Sequence, residues 1–175
     1  MTPMPQKVRT RSLARSSTVT EDDIITFMTD LPGVVVMTAS EADGSPESAW
    51  GDSFFYYDPD RDVKFDQSFP FATIVVSDYD GFDTLSNLSR ANVFRLNINV
   101  GRTRFQELLG FPPAAHGDHH EEFDYAAADV LLPHPVYATQ SWVSIVNPDR
   151  LDGRARALLI EAQERAARRH RPATT

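Results

Sequence analysis

The sequence predicts an α+β fold: an antiparallel sheet of about five strands packed by an N-terminal and a C-terminal helix. Three observations carry this. Short apolar or alternating runs follow one another through turn residues, and no strand–helix–strand rhythm signals a parallel sheet. Helical periodicity is strongest in two places, at Ile24, Ile25, Phe27, Met28 and Leu31 and at Leu151, Ala155, Leu158, Leu159, Ala162 and Ala166. The composition, 41% hydrophobic and 10% aromatic over 175 residues, suffices for one buried core.

The first helix begins at Thr20, a capping residue followed by Glu21, Asp22 and Asp23, whose charges suit the positive end of the macrodipole. Pro32-Gly33 ends it. Residues 34–39 are mostly β-branched and apolar, hence a buried strand. Asp43-Gly44-Ser45-Pro46 is strong turn chemistry, which makes 49–57 the partner strand of a hairpin. Residues 58–67 read as a solvated acidic loop and 71–77 as a third strand. Between 78 and 92 there is room for one helical turn at most, around 82–88. Residues 93–100 form the clearest strand: Phe94, Leu96, Ile98 and Val100 alternate with Arg95, Asn97 and Asn99. A short helix at 102–109 closes on Gly110 and Pro112-Pro113. Residues 116–128 read as helical from Tyr125-Ala126-Ala127-Ala128, against the histidines at their start. Pro133-His134-Pro135 fixes an extended bend, 142–147 is the fifth strand, and 151–169 is the closing helix.

Residues 1–19, rich in Ser, Thr, Arg and Pro, read as a flexible basic leader; 20–170 form one domain and 171–175 a tail. Cysteine is absent, so disulfides, zinc–thiolate sites and thiol nucleophiles are excluded together. No apolar run approaches the ~20 residues of a membrane span and no apolar signal segment opens the chain, so the expected setting is cytoplasmic, without a membrane partner. The formal charge is −8, with residues 1–20 at +4, 151–175 at +3 and the body between at −15. A body this acidic repels phosphate backbones, which argues against nucleic acid as the partner.

Three groups of residues carry chemistry. His116, His119 and His120 lie beside Glu121 and Glu122, and on a helix His116 and His120 face the same side one turn apart, a spacing able to share a divalent metal. The competing reading is a solvated loop, since Gly117 weakens the helix and no strict metal motif is present. Along 93–100, period-two geometry puts Arg95, Asn97 and Asn99 on one face, and along 49–57 it groups Trp50, Asp52, Phe54 and Tyr56. If the two faces coincide, Arg95 and Asp52 form a polar floor walled by Trp50, Tyr56 and Trp142. The plainer alternative is an ordinary surface ion pair on a half-exposed sheet. Third, prolines on both sides aim His134 rather than let it wave, so it either anchors a ligand and handles protons or caps a carbonyl. No nucleophile elbow or phosphate-binding glycine loop is present.

The stretches Ala49-Trp50-Gly51-Asp52, Pro70-Phe71-Ala72-Thr73, Gly81-Phe82-Asp83, Phe94-Arg95-Leu96-Asn97-Ile98, Leu132-Pro133-His134-Pro135-Val136-Tyr137 and Trp142-Val143-Ser144 occur in this order. Together they resemble an uncharacterised bacterial domain-of-unknown-function family, DUF6194, over about residues 20–170. More distantly, Leu31-Pro32-Gly33 and a Trp-bearing strand running into a last helix resemble MmcQ/YjbR-type proteins. That resemblance implies the α+β plan and brings a suggestion of DNA binding, which the acidic body opposes.

The expectation is therefore a small-molecule-binding protein that uses a polar sheet face for a small polar or aromatic metabolite, with catalysis left open. Arg95, Asn97, Trp50, Tyr56 and Trp142 would hold the ligand, while His134 and Asp52 would handle protons. The alternatives are a non-catalytic module whose acidic surface meets a basic protein, and a metal-dependent protein built on His116 and His120. Cofactor and oligomeric state are not specified by the sequence.

Overall fold

The computed structural model describes residues 18–172. Of the leader expected over 1–19 and the tail expected over 171–175, residues 1–17 and 173–175 lie outside the described residues. Helix α1 (Glu21–Thr29) starts as the sequence requires: Thr20 Oγ1 accepts from the Asp23 N–H at 3.2 Å, and Asp23 returns the bond to the Thr20 N–H at 2.8 Å. Val19, just before the cap, packs against the core, and its N–H donates to Asp149 Oδ1 at 3.0 Å.

Six strands form one sheet: β1 (Val34–Thr38), β2 (Ser53–Tyr57), β3 (Ala72–Val75), β4 (Arg95–Asn99), β5 (Leu132–Pro133) and β6 (Trp142–Val146). Their order is β1-β2-β3-β4-β6-β5, with every neighbouring pair antiparallel. The α+β plan is thus as the sequence implies, with one strand more. The extra one, β5, is two residues long and comes from the Pro133-His134-Pro135 bend, so it carries no periodicity. Around the sheet lie α2 (Arg102–Leu109), α3 (His116–His119) and α4 (Asp152–Arg169). No helix among the described residues is long and apolar enough to cross a membrane.

The pleat sorts β4 as its alternation predicts. Leu96 and Ile98 are fully buried in a cluster with Phe55, Ile74 and Ile145 of the sheet, Met28 of α1, Phe105 of α2 and Leu158 and Leu159 of α4. The opposite face of β4 is buried as well, although it carries Arg95 and Asn97. Irregular chain covers this side: the β3–β4 connection and the segment around His134 and Tyr137.

Two local expectations are corrected and a third is sharpened. The strand expected over 49–57 begins only at Ser53, because 3₁₀ turns at Glu41–Asp43 and Glu47–Ala49 and a left-handed Gly51 (φ 89°) take up the preceding residues. The 78–92 stretch, read as holding one helical turn at most, holds none; Tyr79 and Asp83 make an antiparallel bridge, and Asp78 Oδ1 holds the Leu88 N–H at 2.8 Å. The helix expected over 116–128 stops after α3 and a 3₁₀ turn at His120–Glu122. Tyr125 explains the stop: its hydroxyl donates to the His120 carbonyl at 3.0 Å and sits 2.8 Å from His116 Nε2, while Asp124 Oδ1 takes the Ala126 N–H at 3.1 Å.

The start of α4 has no capping side chain of its own. Asp129 instead braces the turn that leads into it: its carboxylate accepts the N–H groups of Asp149 at 3.1 Å, Arg150 at 3.1 Å and Leu151 at 3.0 Å.

Candidate functional site

The polar face of β4 forms the floor of a cavity of about 540 Å³. Arg95, Asn97 and Asn99 enter it from β4, Thr73 and Val75 from β3, Phe54 from β2 and Trp142 from β6. Phe54, Thr73 and Asn97 stand in one cross-strand row, which puts their side chains on the same side of the sheet. His134, Tyr137, Tyr79, Phe82 and Asp83 close the cavity from the irregular segments, and Phe69 stands 95% exposed at its edge.

Arg95 organises the floor and is fully buried. Nη1 and Nη2 donate to the two carboxylate oxygens of Asp83, at 3.0 and 2.5 Å. Nη1 also donates to Ser86 Oγ at 2.9 Å, and Nε to Asn97 Oδ1 at 2.8 Å. Asn97 Nδ2 passes the chain on to Thr73 Oγ1 at 3.0 Å. A bidentate pair of this kind fixes the guanidinium plane as well as its charge. The ring of His134 lies against it, with Nε2 3.3 Å from Arg95 Nη2. The other ring nitrogen, Nδ1, accepts the backbone N–H groups of Val136 at 3.0 Å and Tyr137 at 2.9 Å. Burial first, and then the Arg95 guanidinium and His116, hold the His134 pKa well below its ordinary value, so the imidazole is neutral.

The expected partner of Arg95 was Asp52; its actual partner is Asp83. Asp52 lies behind the wall, fully buried, where it accepts the Val76 N–H at 2.9 Å and the hydroxyl of Tyr79. Burial pushes its pKa up to about 6, with the Tyr79 and Val76 hydrogen bonds and the Arg95 charge opposing the rise. Tyr79 is raised too, by its own burial and then by the bond to Asp52. Of the proposed ligand-holding residues, Arg95, Asn97 and Trp142 meet in the cavity together with His134. Trp50 and Tyr56 do not line it. Trp50 precedes the strand and bonds the Ser45 carbonyl through Nε1 at 2.9 Å, while Tyr56 sits beside Val35 of β1 and packs on the Phe65 ring. Asp83, Ser86 and Tyr79 had no assigned role, because the 76–93 connection has no periodicity to read; Asp83 stood out only within the Gly81-Phe82-Asp83 stretch of the family resemblance.

His116 and His120 do come together, their rings 5.2 Å apart and edge to face. Among the described residues, however, no group of three or more His, Asp or Glu side chains is arranged to hold a metal ion. His116 Nε2 is taken by Tyr125, as described above, and His119 stacks on Phe111 and bonds Glu122 at 2.9 Å.

The sequence model of the family of unknown function DUF6194 matches residues 19–175, which is nearly the whole chain. The protein belongs to DUF6194. No curated protein and no solved structure matches this DUF6194 chain. The cavity floor, its walls and the Asp52–Tyr79 pair all fall inside the matched span, so the site is built from the DUF6194 domain itself.

Proposed function

We propose that this protein binds a small polar or aromatic organic molecule in the cavity over β2, β3, β4 and β6. One observation supports the reading above the rest. A buried arginine, asparagine and histidine converge on a hollow of about 540 Å³ with several aromatic walls, within the size range of small-ligand sites. Burying a guanidinium is costly, and well-packed apolar residues hold a sheet together at least as well, so stability alone gives no reason for polar groups here. Phe54, Val75 and Trp142 supply flat apolar surface for a ring or an alkyl body.

The test is thermal-shift screening of the full chain against a panel of small metabolites, repeated on the double variant Phe69→Ala/Tyr137→Ala. Both side chains stand at the cavity and are exposed, so their truncation leaves the core alone. Compounds that raise Tm in the wild type and lose that effect in the variant support binding in the cavity. Hits that are indifferent to the variant, or no hits at all, count against it.

A further inference from the structure

The hydrogen-bond donors at the cavity floor outnumber the acceptors, and the surplus specifies the ligand. Arg95 has five N–H hydrogens. Four are taken by Asn97, Ser86 and the two oxygens of Asp83. The fifth, on Nη2, has only His134 Nε2 in range, at 3.3 Å.

That nitrogen cannot accept it. His134 Nδ1 already receives two backbone N–H groups and therefore carries no hydrogen of its own. A neutral imidazole must then carry its single hydrogen on Nε2. Flipping the ring would turn a C–H toward Val136 and Tyr137, and protonating Nδ1 would break both bonds beside a guanidinium. Every buried side-chain nitrogen and oxygen among the described residues has a neighbour within hydrogen-bonding distance. Here that neighbour is a second donor. Two N–H groups, both on residues that line the cavity and are at most 2% exposed, face one another with no acceptor between them. An oxygen about 2.9 Å from each would satisfy both.

Charge decides which oxygen. The positive charge of Arg95 is already matched by Asp83 inside the buried pair. A carboxylate placed there would add an unmatched negative charge near Asp83 and would lose its own hydration, whereas a neutral carbonyl leaves the balance intact. We infer that the cavity takes a neutral, carbonyl-bearing compound of the amide, ketone or aldehyde class, its oxygen seated between Arg95 Nη2 and His134 Nε2. His134 then acts as a fixed hydrogen-bond donor rather than a base. The inference rests on the small-molecule reading of the same cavity and names the ligand class for it. The ionisable groups around the ring are Arg95, Asp83, His116 and Tyr137, and none of them offers the Nε2 hydrogen an acceptor.

Long-range ¹H–¹⁵N NMR of the full chain with ¹⁵N-labelled histidine tests this, with benzamide and benzoate as probes. The signal of His134 is assigned by its loss in His134→Asn, leaving the other four histidines. The expected spectrum shows His134 neutral, protonated at Nε2 and unchanged from about pH 5 to 8. Benzamide shifts the Nε2 signal and binds at least about tenfold more tightly than benzoate. An Nδ1-protonated ring, a His134 that titrates in that range, or benzoate binding as tightly as benzamide overturns the inference and leaves the cavity reading standing. If neither probe nor any panel compound perturbs the cavity signals, the binding reading fails and takes the inference with it.

Discussion

Tyr79 and Asp52, 27 residues apart in the chain, share a hydrogen bond in which the phenol donates to Oδ2 while the Val76 N–H holds Oδ1 at 2.9 Å. The pair ties the β3–β4 connection to the start of β2, and only its phenol reaches the cavity.

The Asp52 carboxyl titrates near pH 6 in the folded protein, above its ordinary 3.8. Between those values the native state holds a proton that the unfolded chain has released. Its contribution is therefore complete below about pH 4 and is lost as the pH rises through 6, amounting to at most about 3 kcal/mol. Urea unfolding at several pH values between 4 and 7 should show this decline in the wild type and a flatter profile in Asp52→Asn. Parallel profiles for the two proteins would remove Asp52 as the source.

Breaking the Arg95–Asp83 pair from one side strands a buried charge. Arg95→Met alone, or Asp83→Leu alone, is expected to cost about 3–5 kcal/mol, and the double replacement much less than the sum of the two. A double-mutant cycle by chemical denaturation measures the coupling. Additive losses would mean that the two side chains are held by other contacts.

Asp129→Ala removes the acceptor for three backbone N–H groups at the start of α4. The expected cost is about 1–3 kcal/mol, the range for backbone donors left without their partner. Because α4 contributes Leu158 and Leu159 to the core, the loss should appear as a lower global Tm and not merely as local fraying. Faster amide exchange confined to 149–155, with Tm unchanged, would contradict this.

The two tryptophans report differently on the cavity. Trp142 lines it and Trp50 does not. A bound compound should change the intrinsic fluorescence of the wild type and of Trp50→Phe to a similar degree, and Trp142→Phe should abolish most of the change. Persistence of the signal in Trp142→Phe would place the bound compound elsewhere.

What could be read in advance follows a physical line. Alternation along β4 was enough to put Arg95, Asn97 and Asn99 on one face, because the pleat has period two and the other face is plainly apolar. The prolines around His134 rightly implied a restrained ring, and the cap at Thr20 and the stripe of α4 were legible from neighbours in the chain. Trp50 falls outside the cavity because period two does not run back through Gly51, where the backbone is no longer a strand. Tyr56 has the right parity but stands against Phe65 instead, since parity says nothing of position along a strand. Asp83 was missed as the counter-charge for Arg95 because pairs formed through irregular connections leave no periodic trace.

The narrow β5 has a consequence for how copies of the chain meet. It offers only two residues, and the second, Pro133, has no N–H to give. An extended segment from another molecule would find almost no ladder to extend at that margin. Stacking of sheets edge to edge, the usual opening step toward fibrils, is thereby blocked on the β5 side.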